Sequence, residues 1–185
     1  MDLAVNLIGM VEGSRTIRIL QADNSRDVDA FRRIRLEALR NDPEAYASSV
    51  EEWECLPIEE WQNRLRHNIV HASFDEEAPT GLMGLMRQRM SKMAHRGTLI
   101  MVYTSPAYRG SGIGRALLDA VSNHAGGIGV HQLELAVSAE NDGAIRFYLT
   151  QGFVEAGRIP DGFMHAGRGV DEILMVRRTA DRDPQ

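Results

Sequence analysis

The chain has 185 residues, with 26 acidic and 21 basic side chains and a net charge of −5. That length suits one domain with a sizeable core, and 43% hydrophobic with 25% charged residues excludes collagen-like and wholly disordered chains. The acidic balance argues against nonspecific nucleic-acid binding, which rests on Lys and Arg, and a single cysteine, Cys55, excludes an internal disulfide or a multi-cysteine zinc site. A lone thiol fits a reducing cytoplasm. No apolar run approaches the ~18 residues of a membrane span, so no membrane partner is expected. Met1 to Met10 is apolar but carries Asp2 where a signal peptide needs positive charge. Residues 1–15 read as a flexible leader or an extra strand, and 179–185 as a flexible tail.

Thr16 to Leu20 alternates around Ile17 and Ile19 and predicts a first strand. Asp27 is placed to cap a helix running to about Asn41. Phe31, Ile34, Arg35, Ala38 and Leu39 hold its apolar stripe. Arg32, Arg33, Arg35 and Arg40, partly offset by Glu37, predict a solvated basic face, so Arg35 falls in both sets. Asn41-Asp42-Pro43 stops the helix, because the residue before proline avoids the helical region. Glu44 to Glu54 is polar with single aromatics, Tyr46 and Trp53. A second helix follows Pro57, with Ile58, Trp61 and Leu65 at helical spacing. Asn68 to Phe74 and Gly81 to Gln88 are strand candidates around a turn-rich segment.

Thr98 to Thr104 is nearly continuously apolar, which predicts a central strand covered on both faces. A Pro- and Gly-containing loop leads to a helix from Gly114 to about Ala125, closed by Gly126-Gly127. Val130 to Val137 alternates as a strand. Asn141 caps a short helix that closes at Gly152. Phe153 to Gly157 and Asp171 to Arg177 are the last strands. Interleaved strands and helices predict an α/β or α+β domain with a mixed sheet.

The most informative stretch is Arg109-Gly110-Ser111-Gly112-Ile113-Gly114, a Gly-rich loop between a central strand and a helix. Glycines let backbone approach a ligand without a Cβ clash. Helix N-terminal amides and the helix dipole favour an anion there, and a guanidinium pairs with phosphate oxygens. The pattern predicts a pyrophosphate cradle. A P-loop is excluded because no Lys follows the glycines. A dinucleotide fold needs G-x-G-x-x-G directly after its strand. Here the glycines run G-x-G-x-G after an intervening Ser105 to Arg109, although Glu134 stands where a ribose-binding acid could lie.

With this R-x-x-G-x-G loop, the sequence resembles the GNAT superfamily of acetyl-CoA-dependent N-acetyltransferases. Thr104-Ser105-Pro106 before Tyr108-Arg109-Gly110 resembles the family's fourth strand and donor loop. Leu133-x-Leu135-x-Val137, Asn141, Ala144, Phe147-Tyr148 and Gly152-Phe153 resemble its fifth strand and following helix. Asp171-Glu172-x-Leu174-Met175 resembles a closing strand, and Asn41-Asp42-Pro43-Glu44-Ala45-Tyr46 the exit of the first helix. The resemblance spans residues 16–178 as one domain. It implies a mixed, mostly antiparallel sheet of six to seven strands, flanked by about four helices and splayed at a central parallel pair. It also implies acetyl transfer from acetyl-CoA to a primary amine of a small molecule or protein, by direct attack, with no metal and with a possible homodimer. A noncatalytic acyl-CoA-binding protein on the same fold is the alternative.

By this resemblance, Arg109, Gly110, Ser111, Gly112, Ile113 and Gly114 hold the pyrophosphate. Backbone groups of Val102 and Thr104 pair with the pantetheine arm. Asn141 caps its helix and also reaches the cofactor arm. Tyr148 is the acid for the leaving thiolate, a phenol titrating near ~10. No carboxylate lies on Thr98 to Thr104, so the general base stays open among Glu134, Glu172, His165 and a water relay. Cys55 needs no nucleophilic role. His67 and His71 have a zinc-like spacing, but no third ligand accompanies them. Trp53 and Trp61 either line an acceptor pocket or pack its wall. Residues 27–66 are expected on one side of that pocket and 157–171 opposite.

Overall fold

Local signals set most of the elements. Helix α1, Ser25–Asn41, begins at Asn24, whose Oδ1 accepts the Arg26 amide at 3.0 Å. The expected cap, Asp27, lies inside the first turn instead. It is 1% exposed, accepts the Gln21 amide at 2.8 Å and pairs with Arg18. Helix α2, Val50–Glu54, occupies the segment expected to be merely polar; Ser49 and Glu52 close a reciprocal capping box at its start. Helix α3, Ile58–His67, follows Pro57 as predicted. With α4, Ile113–Gly127, and α5, Asp142–Thr150, there are five α-helices among the described residues, in line with the expected mixed sheet flanked by about four.

The computed structural model describes residues 15–179, so the readings made for 1–14 and 180–185 lie outside the described residues. Its strands are β1, Arg15–Ile19; β2, Ile69–Asp75; β3, Ala78–Arg87; β4, Arg96–Thr104; β5, Gln132–Ser138; β6, Val154–His165; and β7, Arg168–Arg178. They form one seven-stranded sheet in the order β1-β2-β3-β4-β5-β7-β6. Every pairing is antiparallel except β4 with β5. Residues 157–171, expected opposite residues 27–66 across the acceptor pocket, belong to the long β6–β7 hairpin, which turns through Ala166 and Gly167 with positive φ. No helix among the described residues is long and apolar enough to cross a membrane.

Two cores cover the two sheet faces. On one face α1, α2 and α3 bury Phe31, Ile34, Leu39, Trp53 and Trp61 against Val70, Ala72 and Leu82. On the other, α4 and α5 bury Leu117, Leu118, Val121 and Tyr148 against Met83, Leu85 and Leu133. Strand alternation assigns β2 and β3 side chains to these faces. In β4 the alternation breaks. Leu99 belongs to the α4 core while Tyr103 belongs to the α1 core, although four residues apart. A bulge intervenes where the β3–β4 register shifts between Leu82 and Gly84, and Met101 there has φ +54°.

His67 and His71 fall on different elements. His67 is exposed at the end of α3. His71 sits within β2, 4% exposed, with its ring 5.6 Å from that of His124 on α4. Burial, and secondarily the neighbouring His124, push the His71 pKa from 6.5 down to about 4. The folded protein therefore binds fewer protons than the unfolded chain between these values. Stability should be complete above pH ~6.5 and fall by about 3 kcal/mol as pH drops to ~4. Urea melts across that range should show this slope, and His71→Gln should flatten it. An unchanged slope in the variant would assign the acid lability to other groups.

Candidate functional site

The site grows from an incomplete pairing. β4 and β5 pair only from Arg96 to Thr98 against Gln132 to Glu134. Side chains clasp that paired end. Arg96 Nε meets Glu134 Oε2 at 3.0 Å, and Thr98 Oγ1 donates to Glu134 Oε1 at 3.2 Å. From Leu99 onward β4 has no β5 partner, and the strands diverge around a slot.

Buried backbone carbonyls need partners, and side chains from outside the sheet supply them. Tyr46 Oη donates to the Val102 carbonyl at 2.8 Å. Arg109 Nε donates to the Thr104 carbonyl at 3.1 Å, and the same guanidinium pairs with Asp42. Val102 and Thr104 thus line the slot with carbonyls already bonded, each keeping a second lone pair.

After β4 the chain turns through Pro106–Tyr108 into the glycine loop. Gly110 and Gly112 have φ of +75° and +87°, a conformation that side chains disfavour, and Gly112 is the N-cap of α4. Nothing lies within 4 Å of a Cβ placed on either one. The first-turn amides of α4 have no intrahelical acceptors. The loop faces an elongated cavity of about 840 Å³ running from Gly110, Gly112 and Gly114 past Val102 to Asn141 and Tyr148. Ser111 and Ile113 turn their side chains elsewhere: Ser111 Oγ donates to the Tyr108 carbonyl, and Ile113 is buried in the α4 core.

Asn141 caps α5, with its Oδ1 accepting the Ala144 amide at 2.9 Å. Its Nδ2 has no partner among the described residues. Tyr148 is 5% exposed, and its hydroxyl also makes no hydrogen bond among them. Burial raises its pKa above the usual tyrosine value, so the phenol keeps its proton at neutral pH.

A second cavity, about 380 Å³, opens on the other side of the splayed strands. It shares Tyr46, Val102, Asn141, Ala144 and Tyr148 with the first, so the two meet at these side chains. Arg35, Trp53 and Arg64 also line it, as does Glu172 of β7. Trp53 therefore faces the cavity, while Trp61 is fully buried in the wall behind it. The expectation of a solvated Arg35 is overturned: it is 3% exposed, its guanidinium carbon 4.5 Å from the Tyr46 ring centre and 4.6 Å from that of Trp53. An arginine inside an apolar stripe was the sequence signal for this position. Tyr46 and Arg64 carried no comparable signal.

The three candidate bases separate. Glu134 is held by Arg96 and Thr98 at the paired end. His165 ends β6, near the exposed Glu140–Arg168 pair. Glu172 lines the second cavity. Cys55 is exposed at the end of α2. Among the described residues, no group of three His, Cys, Asp or Glu side chains is arranged to hold a metal.

Comparison with known proteins agrees with this architecture. The chain is 29% identical over 116 residues to a spermidine N(1)-acetyltransferase of Vibrio cholerae, covering 62% of this chain and 67% of that protein. It is 31% identical over 74 residues to an L-methionine sulfoximine/L-methionine sulfone acetyltransferase of Salmonella typhimurium, covering 40% of this chain and 43% of that protein. A Salmonella typhimurium protein whose structure holds its cofactor acetyl-CoA superposes with a TM-score of 0.77 at 20% identity, over 92% of this chain and 97% of that one. Residues 30–153, more than half of the chain, match the sequence profile of the acetyltransferase (GNAT) family, and the chain belongs to that family of acetyltransferases.

Proposed function

We propose that the protein transfers the acetyl group of acetyl-CoA to a primary amine by direct attack. The observation that carries this reading is the meeting of two cavities at Tyr148, a buried residue whose hydroxyl makes no hydrogen bond among the described residues. Cavities of about 840 and 380 Å³ fall within the ~300–1,000 Å³ usual for small-molecule sites.

Acetyl-CoA fits the first cavity. The open cradle over Gly110 and Gly112 and the free amides at the start of α4 suit its diphosphate. Arg109 stands at the rim, its charge shared with Asp42. Backbone groups of Val102 and Thr104, with Asn141 Nδ2, are available to the pantetheine arm. The bound molecule supplies an activated thioester.

The chain's own residues then manage two protons. Attack forms an N–C bond and breaks the C–S bond, so one proton leaves nitrogen and one must reach sulfur. Tyr148 holds a proton where the cavities meet and gives it to the departing thiolate. That thiolate forms in the same desolvated slot, so burial raises both acids together. The proton lost by the amine goes to Glu172, directly or through water, because Glu172 lines the acceptor cavity while Glu134 is bound to Arg96.

Tyr148→Phe should lower turnover by roughly 10²-fold while acetyl-CoA affinity and melting temperature stay near wild type. Normal turnover in steady-state CoA-release assays would remove the acid from this scheme. Gly112→Val should weaken acetyl-CoA binding more than tenfold by calorimetry, since it fills the cradle and imposes a disfavoured φ. Unchanged affinity in a folded variant would exclude the loop from the donor site. Glu172→Gln should reduce kcat/KM at least tenfold, whereas Glu134→Gln should mainly lower stability. The reverse pattern would exchange their roles.

A further inference from the structure

The acceptor cavity carries an electrostatic signature beside Tyr46 and Trp53. Arg35 is 3% exposed, and its Nε and Nη1 are buried with no hydrogen-bond partner. Arg64 Nε is buried and unpartnered as well. Both guanidiniums stack on Trp53, at 4.6 and 4.1 Å from its ring centre. Neither belongs to an ion pair among the described residues. Burial, and to a lesser degree Arg64, bring the Arg35 pKa down to about 10, so it remains a cation at neutral pH.

A buried cation with a second, half-buried one beside it and no carboxylate is costly, because desolvation is not repaid by pairing. The aromatic faces of Tyr46 and Trp53 offset only part of that cost. Guanidiniums that line a cavity without an anionic partner match a carboxylate, which accepts charge-assisted bonds from both. Tyr148 and the junction with the donor slot line the same 380 Å³ cavity. A ligand that meets both features carries an anion and an amine a short distance apart.

We propose that the acceptor is a small amino acid, whose carboxylate is bound by Arg35 and Arg64 while its amine faces Tyr148 and Glu172. The assignment rests on the acetyl-transfer reading above and narrows its acceptor. It also separates this chain from polyamine acetylation, because a second ammonium group would meet two buried guanidiniums. A protein N-terminus is disfavoured too, since its residue carries an amide where the free amino acid carries a carboxylate.

The test compares substrates on the wild-type enzyme. CoA release is measured for the twenty common L-amino acids, each against its amide and its decarboxylated amine, with spermidine alongside. The best amino acid should exceed its own amide and amine by at least 100-fold in kcat/KM, mostly through KM. Arg64→Gln and Arg35→Met should shrink that margin below tenfold without changing acetyl-CoA affinity. Arg64, half-buried, is the variant to rely on if Arg35→Met fails to fold. Equal or better use of the amides, the amines or spermidine would overturn the carboxylate assignment and leave the acetyltransferase standing. Acetyl-CoA binding with no turnover of any amino acid would overturn it as well. Absence of acetyl-CoA binding to the wild type would instead remove the acetyl-transfer reading beneath it.

Discussion

The structure depends on hydrogen bonds that two neighbouring strands do not make. β4 and β5 begin as a parallel pair and part after three residues. A sheet interior that stops pairing exposes polar backbone in a desolvated place, which is tolerated only when something else satisfies it. Tyr46 and Arg109 take over two carbonyls, and each reaches in from a segment outside the sheet. The loop after α1 and the loop before α4 are thereby tied to one strand edge. The positions of the glycine cradle, Asn141 and Tyr148 all follow from how far that edge is left open.

The two cavities on either side of the opening handle charge differently. The donor side meets anions with backbone: left-handed glycines and helix amides, partial charges fixed by the fold and free of side-chain entropy. Of the two arginines that line it, Arg109 is shared with Asp42 and Arg115 stands 3.9 Å from Asp119. The acceptor side uses whole charges held in aromatic surroundings. Arg35 and Arg64 stack on Trp53, and Trp53 packs edge-to-face on Trp61 and Phe31. That arrangement fixes cation positions through ring packing rather than through ion pairs. The aromatic cluster of the α1 core is therefore also the support of the acceptor wall.

Much of this was legible in the chain. The order of strands and helices and the glycine loop follow from periodicity, caps and glycine spacing, which are local properties, whereas the parallel pair was an implication of the family resemblance. Helix α5 was fixed by Asn141 at one end and Gly152 at the other. What stayed hidden depends on partners distant in sequence. Asp27 looked like a cap because its demand for Arg18 and the Gln21 amide is invisible locally. Arg35 was assigned to solvent and to the stripe at once. Only the arrival of Tyr46 and Trp53 decides between them. The inequality of Glu134 and Glu172 is likewise set by Arg96 across the sheet and by the depth of β7 in the cavity. The β4 bulge was masked because a nearly continuous apolar run shows no alternation to interrupt.

That bulge bears on how the chain can vary in length. With Met101 as the extra residue, Leu99 and Val102 pack with α4, whereas Tyr103 packs with α1. A chain lacking Met101 would form an unbroken strand and still present Leu99, Val102 and Tyr103 to their present faces. Both cores would keep these side chains and lose only the contact that Met101 makes with the α1 core, while the strand would lose its bulge next to the opening from β5. At this point the residue count bears on the slot more than on which side chains each core receives. A one-residue deletion here separates foldedness from function more cleanly than a side-chain exchange in either core.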